Sequence, residues 1–176
     1  MAGHSHWAGI KHKKALTDAK RAKSFTKLVK AISAAARTEP NIDFNPRLRT
    51  AVTKAREAQV PADTIQRAID KAATSADSLE EMLFEAYGPG GIALLIEVMT
   101  DNRNRAIPEI KSTLNKNGGK IAEPGSVLWA FGKAADGTWS AQFPTEIAES
   151  DAEELGKLVD ALEALEDVQE ITTSAA

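Results

Sequence analysis

Three histidines, His4, His6 and His12, open a segment whose other ionisable groups are almost all cations. Between Met1 and Lys30 stand Lys11, Lys13, Lys14, Lys20, Arg21, Lys23, Lys27 and Lys30, and Asp18 is the one acidic residue among them. Groups of these types can hold a metal ion or neutralise a polyanion. Once the first methionine is removed, Ala2-Gly3-His4 would offer an amine, two amide nitrogens and an imidazole, a square-planar set for Cu(II) or Ni(II). A flexible nucleic-acid-binding arm uses the same residues, and we assign no metal or cofactor to them. Trp7, Phe25 and the histidines interleave with the cations, which suits stacking on bases or clamping an RNA backbone. A solvated basic helix without a specific ligand accounts equally for the charges taken alone.

Catalytic patterns are missing. Gly88, Gly90 and Gly91 do not make a dinucleotide-binding GxGxxG, and Gly118-Gly119-Lys120 lacks the Walker glycine and the hydroxyl residue after lysine. There is no GxSxG and no HExxH, and without cysteine there is no thiol nucleophile, disulfide or Cys-based zinc site. The pairs Glu80/Glu81 and Glu153/Glu154 fall where a linker or exposed helix surface is expected, a poor setting for acid–base work. The expectation is a protein that is not an enzyme and takes no small-molecule substrate. No run of about 18 apolar residues occurs, so a cytoplasmic monomer without a membrane partner is expected.

Charge divides the chain. Residues 1–73 hold 15 Lys and Arg against 6 Asp and Glu, and the rest hold 7 against 19, so halves of +9 and −12 make up the overall −3. Such a split predicts two domains, a basic helical one over 1–76 and an acidic α+β one over 77–176, the first binding polyanion and the second repelling it. The 43% hydrophobic content is enough to give each a core.

The elements that position the cations follow from periodicity. From Ser24, the residues Phe25, Leu28, Val29 and Ile32 have the spacing of a helix with one buried face, ending before Pro40. Asn45-Pro46 starts a second helix with Leu48, Ala51, Val52 and Ala55 inside and Arg47, Arg49, Lys54 and Arg56 outside. Pro61 opens a third, with Ile65, Ala68, Ile69 and Ala72 on its inner stripe. These make a small helical bundle. After a linker at Thr74–Ser78 the period changes to that of a sheet. Strands are predicted over 83–87, 92–99, 127–131, 138–143 and 168–172, with turns at Gly88–Gly91 and Asp136-Gly137. Helices are predicted over 104–117, with Pro108 in its first turn, and after a capping box made by Ser150 and Glu153. Trp129 and Phe131 read as core residues of a strand. The order implies a ferredoxin-like α+β domain with a mainly antiparallel sheet. Asp101 to Arg105 is a second candidate site, where Arg103 and Arg105 beside a helix N-terminus form an anion-friendly corner or an internal salt-bridge network. Tyr87 either packs there or ends its strand.

The segments AGHSHW, IKHKK, DAKRAKSFTKL, NPRLRTAV, KAREAQVP, YGPGGIALLIE, TDNRNR, NGG and EPGSV resemble the YebC family, which includes the mitochondrial translational activator of cytochrome oxidase subunit I. The resemblance covers roughly residues 2–133 and resumes over about 143–168. It implies a nucleic-acid-associated regulator of gene expression. Its members are described as DNA-binding transcriptional regulators or as ribosome-associated translation factors that relieve stalling at proline-rich stretches. Longer members insert a third α/β domain where this chain has the hairpin Gly132–Phe143, so it resembles a two-domain short form. The leading expectation is a translation factor on ribosomal RNA, contacting it through Lys11 to Lys30 with support from Arg47, Arg49, Lys54 and Arg56. The alternative is a transcriptional regulator on duplex DNA.

Overall fold

The computed structural model describes residues 18–74 and 79–176, with side chains from residue 23 onward. The described residues form two compact units, one of 18–74 and Leu79 with Ala134–Thr138, the other of Glu80–Lys133 with Trp139–Ala176. The expected linker lies largely in 75–78, outside the described residues.

The helical unit contains α1 (Asp18–Thr38), α2 (Pro46–Glu57) and α3 (Ala62–Thr74). Periodicity from Ser24 marks only the part of α1 that packs, since the helix reaches back at least to Asp18. Ile32, Ala35 and Ala36 meet Leu48, Val52 and Ala55 of α2 and Ile65 and Ala68 of α3 in one core. The alanines let the helix axes approach closely. Phe25 packs against this core and is half-buried, so it is not the exposed stacking ring that its cationic neighbours suggested.

Asn45 begins α2 as expected. Its side-chain oxygen accepts the Leu48 N–H at 2.9 Å, and Pro46 occupies the first turn, where no N–H is needed. The Asn45 amide also donates to the carbonyls of Ala35 at 2.8 Å and Glu39 at 2.7 Å, tying the start of α2 to the end of α1.

The second unit is α+β. Its sheet holds β1 (Glu80–Tyr87), β2 (Ala93–Thr100), β3 (Lys120–Ile121) and β6 (Val168–Thr173) in the order β3-β1-β2-β6, every neighbouring pair antiparallel. Two helices, α4 (Arg103–Lys116) and α5 (Glu149–Glu163), and a separate hairpin of β4 (Phe131–Lys133) and β5 (Trp139–Ala141) complete it. Alternation along β2 sorts the two faces. Leu94, Ile96 and Val98 meet Ile110 and Leu114 of α4 and Leu155, Leu158 and Leu162 of α5, while Leu95 meets Val127, Ala130 and Phe131 on the other side. Two helices on one face of a four-stranded antiparallel sheet is a ferredoxin-like layering. The element order differs, because the two central strands here form a hairpin instead of flanking a helix.

Several boundaries depart from the sequence reading for physical reasons. β1 begins at Glu80, three residues early, because its full length pairs with β2 from Glu80 opposite Thr100 to Tyr87 opposite Ala93; Glu80 and Glu81 are strand residues. The strand predicted over 127–131 is a 3-10 turn at Leu128–Ala130, followed by β4. The strand predicted over 138–143 shortens to 139–141. Trp129 is 66% exposed and is not core, whereas Phe131 is buried. The last helix starts at Glu149 with Ala148 as its cap residue and no side-chain cap bond, so Ser150 and Glu153 form no capping box. Pro108 sits in the second turn of α4 and not in the first. Its missing N–H deprives the Asn104 carbonyl of a partner, and both residues are exposed, so water can take that place. Tyr87 and Thr100 lie at opposite ends of the β1–β2 pair; Tyr87 ends its strand and does not pack at the Asp101 corner.

Candidate nucleic-acid interface

Helical geometry arranges the cations of the first unit into rows. Lys23, Lys27 and Lys30 follow i, i+4, i+7 spacing and so share one face of α1, opposite the stripe of Phe25, Ile32 and Ala36 that enters the core. Lys20 and Arg21 belong to the first turn of that helix. On α2 the buried residues Leu48, Ala51, Val52 and Ala55 are flanked by Arg47 and Lys54 on one side and Arg49 and Arg56 on the other, each pair about 10 Å apart along the axis. The exposed face of α3 is different, because Asp63 and Asp70 alternate there with Arg67 and Lys71 and Gln66 donates to Asp70 at 2.9 Å. The cationic surface of this unit therefore belongs to α1 and α2.

Arg49 does more than contribute charge. Its Nη2 donates to the Asp43 carbonyl at 2.8 Å and to the Ile42 carbonyl at 3.4 Å, fastening the loop ahead of α2. His4, His6, Trp7, Lys11, His12, Lys13 and Lys14 lie outside the described residues, as does the Ala2-Gly3-His4 set. Among the described residues no cluster of His, Cys, Asp and Glu has the makings of a metal site.

The corner from Asp101 to Arg105 is occupied by its own network. Asn102 caps α4 by accepting the Arg105 N–H at 3.1 Å. The Arg105 guanidinium donates to Asp101 at 3.0 Å and to the buried Asp167 at 2.9 Å, and these carboxylates, Asp167 foremost, raise its pKa above the usual value. The Thr100 hydroxyl also donates to Asp167 at 3.0 Å. Arg103 lies 3.8 Å from Glu80. Arg105 is thus paired with two carboxylates, one of them buried, while Arg103 stays largely exposed beside Glu80.

Three features were not found from the sequence. Glu85 is buried on the hairpin side of the sheet and accepts backbone N–H bonds from Gly125, from Val127 at 2.8 Å and from Leu128 at 2.8 Å. Burial pushes its carboxyl up, but the three donors outweigh it and hold the pKa below the ordinary value. Trp129 and Phe143 form an exposed ring pair 5.7 Å apart. Phe44, between two short polar residues and ahead of Pro46, is 77% exposed. The one available signal for it was an aromatic in a stretch with no apolar periodicity.

The TACO1/YebC protein N-terminal domain matches residues 5–75, and the TACO1/YebC second and third domain matches residues 79–136. A probable transcriptional regulatory protein of Koribacter versatilis is 52% identical over 135 residues, covering 76% of this chain and 54% of that protein. One from Acidothermus cellulolyticus is 42% identical over 182 residues, covering 98% and 73%. The chain spans about half the length (54%) of the first curated relatives it matches. A crystal structure of a conserved hypothetical protein from Aquifex aeolicus superposes with a TM-score of 0.82 at 31% identity, covering 98% of this chain and 97% of that one. With both family domains matched in order and the same fold in a solved relative, the chain belongs to the TACO1/YebC family.

Proposed function

We propose that the protein is a non-enzymatic regulator of gene expression that binds nucleic acid through the cations of its first 56 residues. The observation that carries this reading is the separation of charge within the helical unit, with lysine and arginine rows on α1 and α2 beside an evenly mixed α3. Cations presented together on helix surfaces can neutralise neighbouring phosphates, and the resulting affinity falls with salt. Lys11 to Arg21 extend the same positive field. Arg103 and Arg105 are left out, because Arg105 is held by Asp101 and Asp167 and Arg103 faces Glu80 at 3.8 Å, which lowers the positive potential of the corner.

The names of the relatives support duplex DNA and transcription as the first target. A second reading, ribosomal RNA and translation, draws support from α3. A helix-turn-helix protein presents its second helix to base edges, and here that helix would carry Asp63 and Asp70 toward phosphates. Crosslinking in growing cells, with sequencing of the recovered RNA and DNA, separates the two. Promoter DNA supports the first reading and ribosomal RNA fragments the second; recovery of neither counts against both.

A further inference from the structure

Among the described residues Phe44 is the most exposed large apolar side chain, at 77%. Its loop is not loose. The Phe44 N–H donates to the Asn41 carbonyl at 3.2 Å, and the Asp43 N–H to the Asn41 side chain at 2.9 Å. The Asn41 N–H donates to Glu39 at 2.8 Å. Arg49 holds the Asp43 carbonyl, and the Asn45 amide holds the carbonyls of Ala35 and Glu39. The bonds on both sides of Phe44 fix the backbone and leave the ring pointing into water.

A phenyl ring held in water by a fixed loop gains free energy when a partner covers it, and little ordering entropy is lost when that happens. The surroundings narrow the choice of partner. Asn41, Asp43, Arg47 and Arg49 are exposed around it in sequence, so its immediate neighbours along the chain are mostly polar or charged, unlike the apolar centre of a protein-docking patch. A single aromatic beside a cationic helix is instead the composition of a base-stacking platform. Asp43 would repel a phosphate directly beside the ring, which leaves the ring to a base and the phosphate to Arg47, at the start of α2.

We infer that Phe44 stacks on an unpaired nucleobase, with Arg47 contacting the adjoining backbone. This rests on the nucleic-acid reading above and sharpens it, because a paired duplex offers no free base face and an RNA or DNA loop does.

The test uses the full chain as wild type, Phe44→Ala and Phe44→Trp. Each is titrated with a labelled RNA stem-loop, the same loop in DNA, and a blunt DNA duplex. Phe44→Ala is expected to weaken binding to the looped probes roughly tenfold, as loss of one stacked base does, with duplex binding and thermal midpoint unchanged. Phe44→Trp is expected to retain affinity and to lose more indole fluorescence on binding a loop than wild type, whose three tryptophans set the baseline. Comparison of the two loops tells RNA from DNA as the source of the base. Equal loop binding by wild type and Phe44→Ala, an equal loss on the duplex, or a lowered midpoint overturns the inference while leaving the nucleic-acid reading in place. If wild type binds none of the three probes, the nucleic-acid reading itself fails and takes this one with it.

Discussion

Arg105 and Asp167, 62 residues apart, meet at 2.9 Å, the guanidinium half in solvent and the carboxylate almost wholly buried. A buried carboxylate is tolerated only with partners, and here Arg105 and Thr100 supply them. The pairing joins the start of α4 to the residue just before β6 and uses up the charge that made this corner resemble an anion site.

Arg105→Gln is therefore expected to lower the thermal midpoint and to leave nucleic-acid affinity unchanged. Melting curves together with a binding titration check both halves. A variant with normal stability and weakened binding would reverse the assignment and return the corner to the interface.

Glu85 supplies a pH signature. Its pKa in the folded chain lies below the ordinary glutamate value of about 4.5, so its ionised form stabilises the fold fully above that value. The contribution disappears as pH falls through the lower folded value. Glu85→Gln, which cannot accept all three N–H bonds, is expected to cost roughly 1–3 kcal/mol at neutral pH. The gap between wild type and variant should narrow below about pH 4.5, as urea unfolding at a series of pH values would reveal. A gap that stays constant down to strongly acidic pH contradicts this account of Glu85.

Asn45 closes the loop that carries Phe44. Asn45→Ala removes the α2 cap and two bonds to α1 carbonyls, and is expected to destabilise the protein by about 2 kcal/mol. Chemical denaturation measures this, and a change within about 0.5 kcal/mol, the usual range for an exposed surface position, would contradict it.

How far the sequence reached depended on how local the cause was. Asn45-Pro46 announces α2 because cap and first turn are set by adjacent residues, and the stripe from Leu48 to Ala55 needs only the helical period. The run from Val127 to Phe131 looks like a strand, yet the amides of Val127 and Leu128 go to Glu85, some 40 positions earlier, and the Ala130 N–H closes a turn on the Val127 carbonyl. Strand β3 has two residues and exists only through pairing with β1, so nothing in Lys120-Ile121 marks it. Ser150 and Glu153 had the spacing of a capping box, but α5 begins before them. In the candidate interface the cation rows were legible from helical spacing. The burial of Phe25 was legible too, from its place on the stripe with Leu28, Val29 and Ile32. The exposure of Phe44 and the capture of Arg105 by Asp167 were not, because each depends on what folding brings alongside.

If α1 and α2 neutralise a nucleic-acid backbone, the salt dependence of binding must run through their cations. Affinity for a B-DNA duplex and for a single-stranded RNA should be measured between 50 and roughly 200 mM salt for wild type and for a chain carrying Lys23→Ala, Lys27→Ala, Arg47→Ala and Arg56→Ala. Each lost phosphate contact should flatten the log–log slope by about 0.9 on duplex or about 0.7 on single strands, so the quadruple variant should be shallower by about 3.6 on duplex and about 2.8 on single strands. A variant slope equal to that of wild type would show that these side chains meet no phosphate, and the account would be wrong.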